Sequence, residues 1–171
     1  MNLIIFGPPG AGKGTQADFI VNKYDLYQLS TGEVLRNEIK NKTDLGNEIS
    51  SIINSGSLVS DNIVKKLVEI FISDKRYKDR LIFDGYPRNL IQAETLQELL
   101  NKYGQKIDLV LKLSVSLETI KKRILERSTL EKRADDSEQI AIKRYKTYEK
   151  STEPVIEYYK KLNLLKVIDG E

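Results

Sequence analysis

The chain has 171 residues, of which 40% are hydrophobic and 31% charged, with a formal net charge of +3. That length and balance describe one soluble globular domain able to bury a sizeable core, and exclude a disordered or membrane-spanning chain. With neither Cys nor His, disulfides, Cys-based zinc or iron–sulfur sites, thiol catalysis and Ser–His hydrolysis are excluded, which leaves Lys, Arg, carboxylates, hydroxyls and backbone amides.

The opening Met1-Asn2-Leu3-Ile4-Ile5-Phe6 has no cationic region before its short apolar run, so it does not read as a signal peptide, and the cytoplasm is the expected compartment. Leu3–Phe6 ends in glycine, as a buried parallel strand should, and 11–23 follows as a helix. A brief strand at 27–29 leads into helical material over 32–53. Asp61 is the expected N-cap of a helix over 63–73, whose Ile63, Val64, Leu67, Ile70 and Phe71 share a face. Then come a strand at 81–83, a helix at 89–103, a strand at 108–113 and a helix at 117–127. A charged turn spans 128–136, a helical region over 137–162 breaks at Pro154, and a strand at 164–168 closes the series. Strands alternating with helices predict an α/β domain with a parallel sheet, because parallel strands need crossovers. Residues 30–60 and 128–136 do not fit the alternation and read as appendages hinged on the sheet.

Gly7-Pro8-Pro9-Gly10-Ala11-Gly12-Lys13-Gly14-Thr15 joins the first strand to the first helix and holds four of the chain's ten glycines. Such a loop turns its amides inward as a nest for phosphate oxygens at a helix N-terminus, and Lys13 adds a charge that reaches the β- and γ-phosphates. Gly14 separates Lys13 from the hydroxyl of Thr15, a departure that fits poorly with a GTPase-type site. Asp84 through Arg88 follow the strand at 81–83, at the carboxyl end where open α/β sheets bind ligands. A simple turn that opens a helix accounts for those residues equally well. Gln92 lies four residues beyond Arg88, on the same helical face.

Three further segments join the loop. Ser30-Thr31-Gly32 with Arg36, then Asp84-Gly85-Tyr86-Pro87-Arg88, then Arg133-Ala134-Asp135-Asp136 follow in that order. In these motifs, and over essentially its whole length, the chain resembles the nucleoside monophosphate kinases and specifically the adenylate kinases. The resemblance implies a P-loop NTPase-like α/β fold, with a parallel five-stranded sheet flanked by helices. It implies a core of 1–29, 60–127 and 137–171, a helical NMP-binding subdomain at 30–59, and a short lid at 128–136. It implies reversible phosphoryl transfer from ATP–Mg²⁺ to AMP, giving two ADP.

On the same resemblance, ATP is held by Gly10, Ala11, Gly12, Lys13, Gly14, Thr15, Arg123 and Arg127. AMP is held by Thr31, Arg36, Ser57, Leu58, Val59, Gly85, Tyr86, Pro87, Arg88, Gln92, Arg133 and Arg144. Lys13, Arg88, Arg127, Arg133 and Arg144 are the catalytic set, and Asp84 holds Mg²⁺ through water. Six of the eight arginines thus stand at nucleotide positions in a chain that has 20 lysines. The lid is of the short type, and with no Cys in the chain the four-cysteine zinc lid found in some relatives is impossible. Its partners are the nucleotides ATP, AMP and ADP, with no nucleic acid and no membrane, and the expected state is a monomer. A UMP/CMP kinase on the same core is the sister reading, from which Thr31 and Gln92 lean toward adenine. A non-catalytic P-loop nucleotide-binding or RNA-binding module is the rival of another class, against which stand the arginine set and the lack of a contiguous basic patch.

Overall fold

A computed structural model describes residues 1–131 and 135–171. Five strands, β1 (Leu3–Phe6), β2 (Tyr27–Ser30), β3 (Leu81–Asp84), β4 (Leu109–Ser114) and β5 (Leu165–Asp169), form one sheet in the order β2-β3-β1-β4-β5. Every pairing is parallel, with Leu3 opposite both Ile82 and Leu109. The central strand β1 is buried throughout, and its side chains alternate between two cores. Ile4 and Phe6 join Phe83, Leu96 and Tyr159 in the larger one. Leu3 and Ile5 join Ala17, Ile82 and Leu113 in the smaller.

The helices are α1 (Lys13–Tyr24), α2 (Thr31–Lys40), α3 (Asp44–Asn54), α4 (Asp61–Ser73), α5 (Leu90–Lys102), α6 (Leu117–Glu131), α7 (Glu138–Ser151) and α8 (Glu153–Lys161). Helices α2 and α3 pack on each other between β2 and α4. Among the described residues, no helix is long and apolar enough to cross a membrane.

Three local expectations shift. Ser60, not Asp61, is the N-cap of α4. The Asp61 carboxylate instead accepts from Asn89 Nδ2 at 3.1 Å and from Gln92 Nε2 at 2.7 Å, two amide donors that take it out of the capping role. The helix expected to stop at Arg127 runs on to Glu131. Residues 128–131 contain neither Gly nor Pro, and the Ser128 and Thr129 hydroxyls donate back to Leu125 O and Glu126 O within the helix. The long helical region breaks at Thr152 and not at Pro154, since a proline in the first turn of α8 loses no hydrogen bond.

Candidate active site

The loop after β1 and the residues after β3 end side by side at the carboxyl edge of the sheet, because β1 and β3 are paired neighbours with Ile5 opposite Asp84. Gly10, at φ +83°, needs its glycine twice over: the backbone is left-handed, and a Cβ there would stand 2.9 Å from Ile124 Cγ1 on α6. The P-loop is thereby seated on α6. Lys13, the first residue of α1, folds back so that Nζ donates to Gly7 O at 2.9 Å and Pro8 O at 3.2 Å. Burial pushes its pKa down to about 8; Asp84 opposes that, while Arg88, Arg144 and Arg127 add to it.

Asp84 is buried and accepts from Gln28 Nε2 at 3.0 Å. Arg88 is fixed along its length. Its backbone N–H donates to Gln92 Oε1 at 2.7 Å, its Nε donates to Gly85 O at 2.7 Å, and its carbonyl accepts from Thr152 Oγ1 at 3.1 Å. Burial, then the nearby Arg144, lowers its pKa to about 10. Thr31, buried at the start of α2, donates to Gly85 O at 3.0 Å. A Cβ on Gly32 would lie 3.2 Å from Arg36 Nη1 and 3.6 Å from Arg88 Nη2, so the two guanidinium groups converge over this glycine.

Two cavities open on these groups. One is lined by Thr31, Arg36, Ser57, Leu58, Val59, Gly85, Pro87 and Gln92, with Leu35 and Tyr148 among its apolar wall. The other is lined by Gly10 through Thr15 together with Asp84, Arg123 and Arg127. Lys13, Arg36, Arg88 and Arg144 belong to both, so the cavities meet at a shared wall of cations.

Two expected positions behave differently from their neighbours. Tyr86 is 1% exposed, lines neither cavity, and donates its hydroxyl to Gln92 O at 3.2 Å, a supporting place behind the first cavity. Arg133 lies outside the described residues. Arg123 bridges the P-loop to the end of the chain, from Nη1 to Ala11 O at 3.4 Å and from Nη2 to Gly170 O at 2.9 Å. Three site residues carried no assignment from sequence. Gln28 holds Asp84; Asp135 and Asp136 hold Arg127 and Arg144. The paired acids of Arg133-Ala134-Asp135-Asp136 are the available signal, since buried carboxylates occur where cations need partners.

A family model described as Adenylate kinase matches residues 5–164. The chain belongs to the adenylate kinase family. It is 46% identical to the adenylate kinase of Pelagibacter ubique, over 99% of this chain and 92% of that protein. It is 42% identical to the adenylate kinase of Fusobacterium nucleatum, over 99% and 91% of the two chains. With the adenylate kinase of Leifsonia xyli it shares 41% identity, over 98% of this chain and 84% of the other. As a member of the adenylate kinase family the chain is a nucleoside monophosphate kinase, an enzyme of the transferase class. No finding favours a UMP/CMP kinase or a non-catalytic module.

Proposed function

We propose that the enzyme transfers the γ-phosphoryl group of ATP to AMP, reversibly, giving two ADP. The observation that carries this reading is the pair of cavities sharing Lys13, Arg36, Arg88 and Arg144. Two nucleotides lying end to end would bring their phosphates together at that shared wall.

Phosphoryl transfer asks for positioning and charge stabilisation more than for covalent chemistry. The amides of Gly10 through Thr15 hold the β- and γ-phosphates at the start of α1, with Lys13 leaving its two carbonyl partners to reach them. Arg36 takes the AMP phosphate. Arg88, held at its backbone N–H, its carbonyl and Nε, presents its remaining guanidinium nitrogens to the group in transfer, where a planar fork matches phosphate oxygens. Arg123 and Arg127 serve the ATP side and Arg144 covers the phosphates, a role the family resemblance also gives Arg133. Thr31, Ser57, Leu58, Val59, Gly85, Pro87 and Gln92 surround the AMP nucleoside.

Asp84 fits a magnesium ion that is shared with substrate. Mg²⁺ is commonly held by one or two carboxylates plus phosphates and water, and one oxygen of Asp84 remains beside the one that Gln28 engages. Among the described residues there is no group of three or more acidic, His or Cys side chains to make an all-protein cage. When bound, the ion neutralises charge on the transferring phosphates.

Residues 30–59 act as the NMP-binding subdomain and 128–136 as the short lid that excludes water before transfer. On this reading the enzyme works as a monomer in the cytoplasm, with nucleotides as its partners. The test is ADP formation from ATP–Mg²⁺ with AMP, UMP, CMP or GMP as acceptor. AMP should be used at least about tenfold more efficiently than the others, and equal or better use of UMP or CMP would replace this reading with the sister activity.

A further inference from the structure

Thr152 joins α7 to α8. Its backbone N–H donates to Tyr148 O at 2.8 Å, finishing α7, and its carbonyl accepts from Val155 at 3.0 Å and Ile156 at 3.2 Å, starting α8. A threonine at this junction ordinarily gives its hydroxyl oxygen to the amides of the next helix. Thr152 makes no such cap. It is 5% exposed, and its hydroxyl donates instead to the carbonyl of Arg88, 64 residues away. The neighbouring Glu153 takes Lys112 Nζ on β4 with both carboxylate oxygens at 3.0 Å, so the junction is tied to the sheet as well.

The arrangement joins two parts of the shared cationic wall. Arg88 comes from the loop after β3, and Arg144 from α7, two turns before Thr152. The Thr152 hydroxyl makes a side-chain hydrogen bond from the end of α7 to the backbone of Arg88. We infer that Thr152 is a positioning residue, which ties Arg88 to the helix carrying Arg144 so that both guanidinium groups address the same phosphates. The inference rests on Arg88 acting at the transferring phosphate, as proposed above. A misplaced Arg88 weakens the transition state, where phosphate charge shifts most, more than it weakens ATP held on the P-loop.

The experiment compares Thr152→Val, which keeps the shape and loses the hydroxyl, with Thr152→Ser, which keeps the hydroxyl, each alone and on an Arg88→Lys background. Thr152→Val should lower kcat about tenfold with the KM for ATP unchanged within about twofold, and Thr152→Ser should keep kcat within about threefold of wild type. On the Arg88→Lys background, Thr152→Val should have little further effect on kcat, because both changes act through one group. Equal losses from Val and Ser, an unchanged kcat in Thr152→Val, or full additivity with Arg88→Lys would each overturn the inference. Near-wild-type turnover in Arg88→Lys alone would instead overturn the role of Arg88 itself. Should Thr152→Val not fold, Thr152→Ser with lowered kcat and wild-type stability would count against the hydroxyl, and Thr152→Ser with wild-type kcat beside an inactive but folded Thr152→Ala would count for it.

Discussion

Asp136 grips Arg127 with both carboxylate oxygens, accepting from Nε at 2.7 Å and from Nη2 at 2.5 Å, and its Oδ1 also accepts from Arg144 Nη1 at 3.1 Å. The Asp136 side chain has no exposed surface, while the two arginines keep about a fifth of theirs. One buried acid therefore holds two cations that line the cavities, with Asp135 sharing its hold on Arg144. The exposed parts of both forks are what phosphates would meet.

Asp136→Asn should consequently cost stability and activity together. Loss of the carboxylate removes the charge-assisted fork on Arg127 and weakens the hold on Arg144, which keeps Asp135, at about 1–3 kcal/mol. A denaturant melt measures the first effect. The second should appear as a lower kcat, since Arg127 and Arg144 would keep their charges and lose their aim.

Lys13→Met should reduce turnover about 100-fold or more and leave the fold intact, because the lost charge faces the phosphate nest and not the core. The same change should stabilise the nucleotide-free enzyme. Burial holds the Lys13 pKa near 8 against an ordinary 10.5, so the folded state disfavours its charged form. Below about pH 8 the amine is protonated in both states and that cost is fully present. Between about 8 and 10.5 the unfolded chain binds the extra proton, so this group's contribution to stability rises with pH. The stability advantage of Lys13→Met over wild type should therefore be largest near pH 7 and shrink toward pH 10. Urea melts across that range check it; an advantage that grows with pH would contradict the assignment.

Gly46→Ala tests how α2 and α3 are joined. A Cβ on Gly46 would lie 2.1 Å from the Glu38 carbonyl oxygen and 2.4 Å from its carbon, so the backbone itself must move. The expected loss is roughly 2–3 kcal/mol by denaturant melt. A raised KM for AMP should accompany it, because α2 carries Thr31 and Arg36.

Much of this geometry is legible in the amino-acid order. The strands are short apolar runs closed by turn residues, and the P-loop's glycines and Lys13 form a pattern with its own physical reason. The β3 loop residues follow from their place after a strand. What stayed hidden depends on partners distant in sequence. Asp61 looks like a helix cap by local rules, yet its carboxylate goes to donors 28 and 31 residues away. Gly46 carries no local signal, since only the approach of Glu38 makes a side chain impossible there. Thr152 stands two residues before Pro154, where the local rule puts the helix break, and nothing nearby in sequence reveals that its hydroxyl reaches Arg88.

Gln92→Leu should raise the KM for AMP more than the KM for ATP if Gln92 lines the cavity proposed above for AMP. The structure adds a stability cost to that expectation. Gln92 is 3% exposed, and its amide serves Arg88 N–H and the Asp61 carboxylate at once. Leucine leaves both without that partner, at about 1–3 kcal/mol. Steady-state kinetics with each substrate varied, beside a thermal melt, separate the two effects.

Whether two nucleotides meet across Lys13, Arg36, Arg88 and Arg144 is decided by a thermal melt with two adenosines joined through five phosphates. One such molecule should fill both cavities. At about 1,000 times its Kd it should stabilise the fold by roughly 4 kcal/mol, and Arg144→Ala should reduce that shift at a fixed ligand concentration. AMP alone should give a smaller shift that Arg144→Ala affects less. A melt left unmoved by the joined ligand, beside a clear shift with ATP, would mean that the cavities do not hold two nucleotides end to end.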